Sequence, residues 1–229
     1  MHSATHIDGT RHAPAIRTAN VVRADTVKVD SLSQSMHLMG AMMAYSPNSE
    51  IFGENEPADY LYKVVSGSVR TYKILSDGRR QVGGFYLPGD IFGLEFADEH
   101  TLSAEAISDA KVLVVKSSAL SALAARDPSV AQQLFALTGR ELHRVQDRIL
   151  LLIKNARERV ASFLLEMAER ASENNTIELP MSRQDIADYL GLTIETVSRT
   201  LTSLETASAI EVSPSSRRIV LRNRAALAA

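Results

Sequence analysis

Three polar side chains near the C-terminal end, Glu195, Ser198 and Arg199, have residue types and spacing suited to hydrogen bonding with one rigid surface. Positions three and four apart share a face of an α-helix, so all three would project together. A guanidinium donates in a fixed fork, a carboxylate accepts, and a hydroxyl does both. If that surface is DNA, the acidic side chain stands where a polyanion arrives. The alternative is an exposed ion pair, because Glu195 precedes Arg199 by four residues.

The residues that must hold this polar face in place form an apolar stripe. Val197, Leu201 and Leu204 recur at the spacing of one helical face, which predicts an amphipathic helix. Ahead of it, a turn at Gly191 separates a second short helix, which Ser182 would cap with Asp185 in a capping box. Behind it, IEVSPSSRRIVL has two β-type ends and predicts a hairpin. Helix, turn, helix and hairpin predict a winged helix-turn-helix, a common DNA reader.

The composition of the 229-residue chain excludes several classes of function. A formal net charge of -2 excludes a generally basic protein, so any contact with nucleic acid must be local. Cysteine is absent, which excludes disulfides, thiolate zinc sites, cysteine-ligated iron–sulfur clusters and thiol catalysis. No apolar run reaches the ~18 residues of a membrane span, and the N-terminus lacks the apolar core of a signal peptide. We therefore expect a cytoplasmic protein without membrane contact.

Changes in sequence texture divide the chain into four expected segments of an α+β protein. These are an N-terminal arm at 1–30, a β-roll at 31–127, a dimerisation helix at 128–154 and a winged helix-turn-helix domain at 155–229. His2, His6 and His12 invite a metal hypothesis for the arm. We do not favour it, because three histidines on a segment without periodic structure supply no fixed coordination geometry.

Short strand-like runs punctuated by glycine fill residues 45–116. Asp77 and Gly78 stand between two such runs and predict a hairpin, because these residue types readily adopt the positive φ angles of tight turns. Closely spaced short strands of this kind predict a small antiparallel barrel or roll.

The pattern after Asp127 is helical over a long distance. Pro128 suits a first helical turn, and apolar positions then step by three and four, which predicts a dimer seam. The run ILLLI at 149–153 also indicates packing of this helix against its own roll, and a wholly intramolecular buried helix is the alternative. The seam contains Phe135, Thr138, Leu142, Val145, Ile149, Leu152 and Ala156, of which the last five are the expected dimer interface.

Three stretches of the chain resemble the CRP/FNR superfamily of bacterial transcription regulators. GENEPADYLYKVVSGSV at 53–69 is similar to the family's β-roll, QDRILLLIKNARERVASFLL at 146–165 to its dimer helix and hinge, and RQDIADYLGLTIETVSR at 183–199 to its helix-turn-helix. The chain is most similar to the FNR and FixK branches, because Glu195, Ser198 and Arg199 reproduce their E-x-x-S-R pattern. The resemblance implies a roll like the cyclic-nucleotide-binding jelly roll, a homodimer and a C-terminal DNA-binding domain.

The resemblance also implies roles for the polar face. In the family the matching arginine approaches guanine and the matching glutamate accepts from cytosine N4, and both roles fit the hydrogen-bonding groups of these bases. Ser198 would contact the thymine-rich end of a half-site in a palindrome with TTG and CAA outer triplets. A two-fold dimer requires a palindrome in any case, with recognition helices roughly 34 Å apart. The expected phosphate contacts, whose alternative is a solvated surface, are Arg183, Gln184, Thr193, Thr196, Arg217 and Arg218.

Related rolls bind cyclic nucleotides through an arginine and a serine. Here Ser103 matches the serine, but Leu102 takes the arginine position, so a cyclic phosphate would lose its main counter-charge. FixK-like members lack a recognised sensory cofactor, and we expect none in this protein. The alternative is a regulator gated by an unrecognised ligand or by haem, for which His37, His100 or His143 would be the axial ligand.

An enzyme related to the cupins is the alternative from another class of function, because cupin enzymes share the architecture of such a roll. The sequence contains no His-x-His followed by Glu and His, no phosphate-binding loop and no nucleophile elbow. We therefore expect a transcription regulator without enzymatic activity. The resemblance alone implies that it activates genes used at low oxygen and contacts RNA polymerase.

Overall fold

Short runs of apolar residues build the first half of the protein into strands. The computed structural model describes residues 31–95, 97–151, 153–173, 175–213 and 217–228. The expected arm, with His2, His6 and His12, lies outside this range. Among the described residues, eight strands form the roll: β1 (Ala41–Tyr45), β2 (Glu50–Phe52), β3 (Tyr60–Ser66), β4 (Val69–Ile74), β5 (Arg80–Tyr86), β6 (Ile91–Phe92), β7 (Ser103–Ala106) and β8 (Ala110–Lys116).

The roll consists of two antiparallel four-stranded sheets with strand orders β1-β8-β3-β6 and β2-β7-β4-β5. Val64 and Val112 of the first sheet pack in one buried cluster with Val69 and Ala104 of the second. Burial of these β-branched and small side chains between the sheets supplies the main driving force for the roll. The predicted antiparallel roll is confirmed.

The turn between β4 and β5 is the hairpin predicted from Asp77 and Gly78. Gly78 has a φ of 84°, which an L side chain rarely adopts. The Asp77 carboxylate accepts a hydrogen bond of 3.0 Å from the backbone N–H of Arg79 and so closes the turn. Ile74 and Arg80 are paired where the two strands leave it.

Three helices belong to the roll and its exit: α1 (Ser31–Met39), α2 (Ser117–Ala124) and α3 (Pro128–Leu151). The first two were not predicted, because each is short and buries only one or two apolar side chains. The long helix α3 begins at Pro128 as predicted but ends at Leu151, before the expected boundary at 154. Ala156 starts the next helix, α4 (Ala156–Ala171), and so does not continue the face of α3.

One face of α3 is apolar and exposed. Leu142, Val145 and Ile149 are each more than half exposed, and Phe135 is 81% exposed. The opposite face buries Leu137, which packs in a cluster with α1 and the roll. Leu152, the remaining residue of the predicted interface, lies outside the described range. An exposed apolar stripe of this length is typical of a surface that a partner covers.

The C-terminal domain is the predicted winged helix-turn-helix. After α4 it contains β9 (Ser172–Glu173), β10 (Thr176–Glu178), α5 (Arg183–Leu190), α6 (Ile194–Thr206), β11 (Ile210–Val212), β12 (Arg218–Leu221) and α7 (Arg224–Ala228). Its strands form an antiparallel sheet in the order β11-β12-β10-β9. None of the helices in the described part of the chain is long and apolar enough to cross a membrane.

The roll and the C-terminal domain share a buried core. Val82 and Phe85 of β5 belong to the same cluster as the apolar side chains of α4, α5 and α6. The Phe85 ring lies 6.1 Å from Phe163 of α4 and 5.2 Å from Tyr189 of α5, measured between ring centroids. This contact joins the two domains of the chain directly.

Candidate nucleic-acid interface

The first helix of the motif, α5, is bounded by local signals. Ser182 is its N-cap, and the Asp185 backbone N–H donates to the Ser182 hydroxyl at 3.1 Å. The Asp185 carboxylate accepts from the Ser182 backbone N–H at 2.9 Å, which completes the predicted capping box. Gly191 ends the helix with a φ of 64°, in the left-handed region that favours glycine.

The second helix, α6, starts at Ile194. Thr193 is its N-cap, and the Thr193 hydroxyl accepts from the Thr196 backbone N–H at 3.2 Å. Val197, Leu201 and Leu204 are all buried, as the predicted apolar stripe requires. Their burial fixes the rotation of α6 about its axis and thereby points the opposite face outward.

The outward face of α6 carries the three residues singled out from the sequence. Glu195, Ser198 and Arg199 are all exposed. Within the described residues, Glu195 and Arg199 form no ion pair at 4.0 Å or less, so the alternative of an intrahelical ion pair is not realised. We call these three residues the reading face. A guanidinium, a carboxylate and a hydroxyl can all hydrogen-bond to base edges.

The carboxylate of Glu195 is ionised at neutral pH. A hydrogen bond from its own backbone N–H lowers the pKa of Glu195, and hydrogen bonding to Thr193 and the charge of Arg199 lower it further. Because the pKa is depressed, the carboxylate keeps its charge as the pH falls for longer than an ordinary glutamate would. The reading face therefore presents an acceptor next to a cation.

The predicted phosphate contacts on α5 and α6 have partners within the protein. Gln184 donates its side-chain N–H to the Asp188 carboxylate at 2.6 Å. Thr193 and Thr196 hydrogen-bond to each other through their hydroxyl groups at 3.1 Å. Arg183 is half-buried, and that burial lowers the pKa of its guanidinium. Gln184, Thr193 and Thr196 line the same cleft as Glu195, and each of the three would exchange or share an existing contact to bind phosphate.

The wing presents two further cations. Strands β11 and β12 pair antiparallel, with Val212 opposite Ile219, as the predicted hairpin requires. Arg217 and Arg218 are exposed at the start of β12. The turn at residues 214–216 lies outside the described range.

Sequence reasoning missed a set of charged residues between the roll and α5, which we call the inter-domain ion cluster. Its members are Arg70 of β4, Arg80 of β5, Glu105 of β7, and Asp185 and Asp188 of α5. The partners lie more than 100 positions apart across the domain boundary. The available signal was weak, namely arginines inside strands, and it did not indicate a partner.

The side chains weighed as ligand contacts are engaged in packing or hydrogen bonds. The Ser103 hydroxyl accepts from the Glu54 backbone N–H at 2.9 Å. The His100 ring is fully buried and stacks on Phe52 with centroids 3.6 Å apart. His37 hydrogen-bonds to the Ser33 carbonyl at 2.9 Å.

The third histidine weighed as an axial haem ligand lies on α3. His143 is exposed, 3.5 Å from Asp147. Across the described ranges, no group of three His, Cys, Asp or Glu side chains could hold a metal ion.

Fold and site together define a DNA-binding regulator built from a roll and a winged helix-turn-helix. A family model for the Crp-like helix-turn-helix domain matches residues 158–229, and one for the cyclic nucleotide-binding domain matches residues 42–127. The nitrogen fixation regulation protein FixK of Azorhizobium caulinodans is 50% identical over 201 residues, which cover 85% of this chain and 81% of that protein. The chain therefore belongs to the FixK group of CRP/FNR transcription regulators.

Two further similar proteins are a curated regulator and a solved structure. The transcriptional activatory protein AadR of Rhodopseudomonas palustris is 40% identical over 181 residues, covering 77% of this chain and 76% of that protein. The solved structure of FixK2 from Bradyrhizobium japonicum superposes with a TM-score of 0.80 at 53% identity, covering 83% of this chain and 96% of the other.

Proposed function

We propose that this protein is a homodimeric transcription activator that reads a palindrome with TTG and CAA outer triplets. The observation that carries the proposal is the reading face: Glu195, Ser198 and Arg199 are exposed on a helix whose apolar stripe is buried. Arg199 would donate to guanine, Glu195 would accept from cytosine N4, and Ser198 would contact the thymine-rich end of the half-site. The guanidinium fork supplies most of the discrimination.

Contacts to the DNA backbone would set the register of the reading face. The exposed guanidinium groups of Arg217 and Arg218 can reach phosphates from the wing. Beside α6, the hydroxyl groups of Thr193 and Thr196 can turn from each other towards a phosphate. Gln184 and Arg183 would complete the set, with Gln184 releasing Asp188 on binding.

The dimer would form through the exposed apolar face of α3. Leu142, Val145 and Ile149 supply its centre, and burying this face against a two-fold mate removes apolar surface from water. Leu152 would extend the same face. Ala156, on α4, would contact the partner at the end of the interface.

The regulatory role rests on the relatives and on the roll. AadR is described as an activatory protein, which supports activation and thus a contact with RNA polymerase. Control by low oxygen rests on the family resemblance. We propose that the protein acts in the cytoplasm. We also propose that it binds DNA without a cofactor, because the Ser103 hydroxyl already accepts a hydrogen bond from the Glu54 backbone N–H and the neighbouring position is Leu102.

Substitution of Arg199 tests base reading directly. Arg199→Ala should weaken binding to the palindrome by about 1–3 kcal/mol per half-site and abolish the preference for guanine at the contacted position. Arg199→Lys is the matched control, since it keeps the charge but loses the planar fork. Fluorescence anisotropy on the palindrome and on a guanine-to-adenine duplex measures both quantities. If Arg199→Ala weakened binding to both duplexes equally, Arg199 would be a phosphate contact instead.

A further inference from the structure

The inter-domain ion cluster joins the roll to the helix-turn-helix through both oxygens of one carboxylate. Asp185 Oδ2 accepts from the Ser182 backbone N–H and caps α5, while Asp185 Oδ1 accepts from Arg70 at 3.0 Å and from Arg80 at 2.6 Å. Arg80 also reaches Asp188 at 2.9 Å from its Nε. The N-terminal turn of α5 is therefore held at the same time by its own cap and by two strands of the roll.

The cluster is largely buried, and its two arginines face three carboxylates. The side chains of Arg70 and Asp185 are 9% and 3% exposed. Burial acts to lower the pKa of Arg80, but hydrogen bonding to Asp188 and the charges of Asp185 and Glu105 outweigh it and raise that pKa. Buried charges that are so fully paired specify one geometry, because any displacement leaves a charge without a partner.

We infer that Arg80, with Arg70, is a positioning residue for DNA reading: it fixes the orientation of α5 and α6 on the roll and thereby sets which half-site spacing the dimer accepts. The inference rests on the proposed dimeric binding of a palindrome. Neither arginine touches the reading face, and each acts through Asp185 and the α5 helix that packs on α6.

The roll is in turn fixed to α3, the proposed dimerisation helix, so contacts run from α3 through the roll to α5. Arg148 of α3 donates to the carbonyl groups of Val82 and Gly83 in β5 and lies over the Tyr189 ring of α5, 4.6 Å from its centroid. Arg144 of α3 pairs with Asp90 at 3.4 Å. With α3 on the two-fold axis, the cluster holds each reading face at a fixed distance from that axis.

The reading face is exposed in the arrangement that the inter-domain ion cluster holds. A cleft of about 860 Å³ separates the β4–β5 hairpin from the start of α6, and its walls include Arg79, Gln81, Thr193 and Glu195. Ser198 and Arg199 face solvent beyond it. This geometry favours a cluster that holds a reading conformation rather than one that blocks it.

Half-site spacing is the property that separates positioning from general stability. Each added base pair moves one half-site by about 3.4 Å along the DNA, and a rigid dimer must then bend or twist the duplex to follow. We expect the wild-type protein to bind its preferred spacing about tenfold or more tighter than spacings one base pair longer or shorter. A loss of folding stability alone would leave this ratio unchanged.

The experiment compares full-length variants by anisotropy on palindromes that differ only in spacing. Arg80→Ala should reduce the spacing preference to about twofold, and Arg80→Lys, which keeps the charge but cannot bond Asp185 and Asp188 through one planar fork, should give an intermediate preference. Gln81→Ala removes a separate and weaker bond between the same two elements, β5 and α5, since Gln81 donates to the backbone carbonyl of Asp188 at 2.6 Å. Gln81→Ala should lower the spacing preference by a smaller factor than Arg80→Ala does. If Arg80→Ala does not fold, Gln81→Ala takes its place in the test. Lys73→Ala is the control, because Lys73 pairs with Glu54 inside the roll.

The outcomes distinguish this inference from the proposed function. If the wild-type protein shows no preference for the palindrome over a scrambled duplex, the proposed function fails, whatever the spacing measurements show. If wild-type protein discriminates spacings and folded Arg80→Ala, or Gln81→Ala in its place, discriminates them equally well, the positioning role is wrong. Guanine discrimination should stay within about twofold of wild type in every variant, because the reading face itself is unaltered.

Discussion

Glu195 lies on the face proposed to meet DNA, and its pKa is lowered, first by a hydrogen bond from its own backbone N–H, so the carboxylate is charged at neutral pH. A carboxylate near phosphate is repelled, so it favours binding only where an amino donor such as cytosine N4 compensates. In the proposed complex Arg199, four residues on, would supply the opposite preference by donating to guanine. The two side chains lie farther apart than an ion pair, so each is available to a base. On this proposal, discrimination between sequences would come from one attractive group and one repulsive group.

Glu195→Gln separates these two effects. The amide removes the charge but keeps one acceptor. Binding to the palindrome should therefore weaken, and binding to a scrambled duplex should strengthen. The ratio of the two affinities should fall by about tenfold. Binding titrations of both duplexes at several salt concentrations measure this ratio. Glu169→Gln makes the same charge change at an exposed site on α4 and should leave the ratio intact. Equal strengthening on both duplexes would show that Glu195 acts only through its charge.

At the scale of elements, α3 has two faces with different tasks. One face buries Leu137 and donates from Arg148 to the roll, whereas the other leaves Leu142, Val145 and Ile149 exposed. The alternative of a wholly intramolecular buried helix does not account for that exposed stripe. A second copy of the helix on a two-fold axis would cover it with identical residues.

Ile149→Glu places a carboxylate at the centre of that stripe. In a two-fold interface the two new charges would face each other without compensation, so the variant should be monomeric and should lose binding to the palindrome. Light scattering measures the mass. Gln132→Glu adds the same charge at an exposed polar position of α3 outside the stripe and should remain dimeric. A dimeric Ile149→Glu protein would place the interface elsewhere.

At the scale of the whole molecule, local signals were sufficient to predict the C-terminal domain. The Ser182 capping box, the Gly191 turn and the Val197 stripe each act within a few residues, and the structure confirms all three. The hairpin at Gly78 is predictable for the same reason. Short-range geometry needs no knowledge of the rest of the fold.

Features that depend on distant partners were not predictable. Arg80 and Asp188 are separated by 108 positions, and neither carries a motif that indicates the other. The end of α3 at Leu151 was also missed, since the apolar repeat continues in the sequence to Ala156 although the helix does not. Periodicity reports which face is apolar, whereas the length of an element depends on what it packs against.

Titration of freshly purified full-length protein on a TTG/CAA palindrome shows whether the protein binds this site without a cofactor. We predict saturable binding with a Kd of about 10⁻⁸ M or tighter at physiological salt, without added ligand, and at least ~10³-fold weaker binding to a scrambled duplex. The mass of the complex should correspond to two chains per duplex. Equal binding to both duplexes, or binding that begins only after a small molecule or haem is added, would disprove cofactor-free recognition of the palindrome.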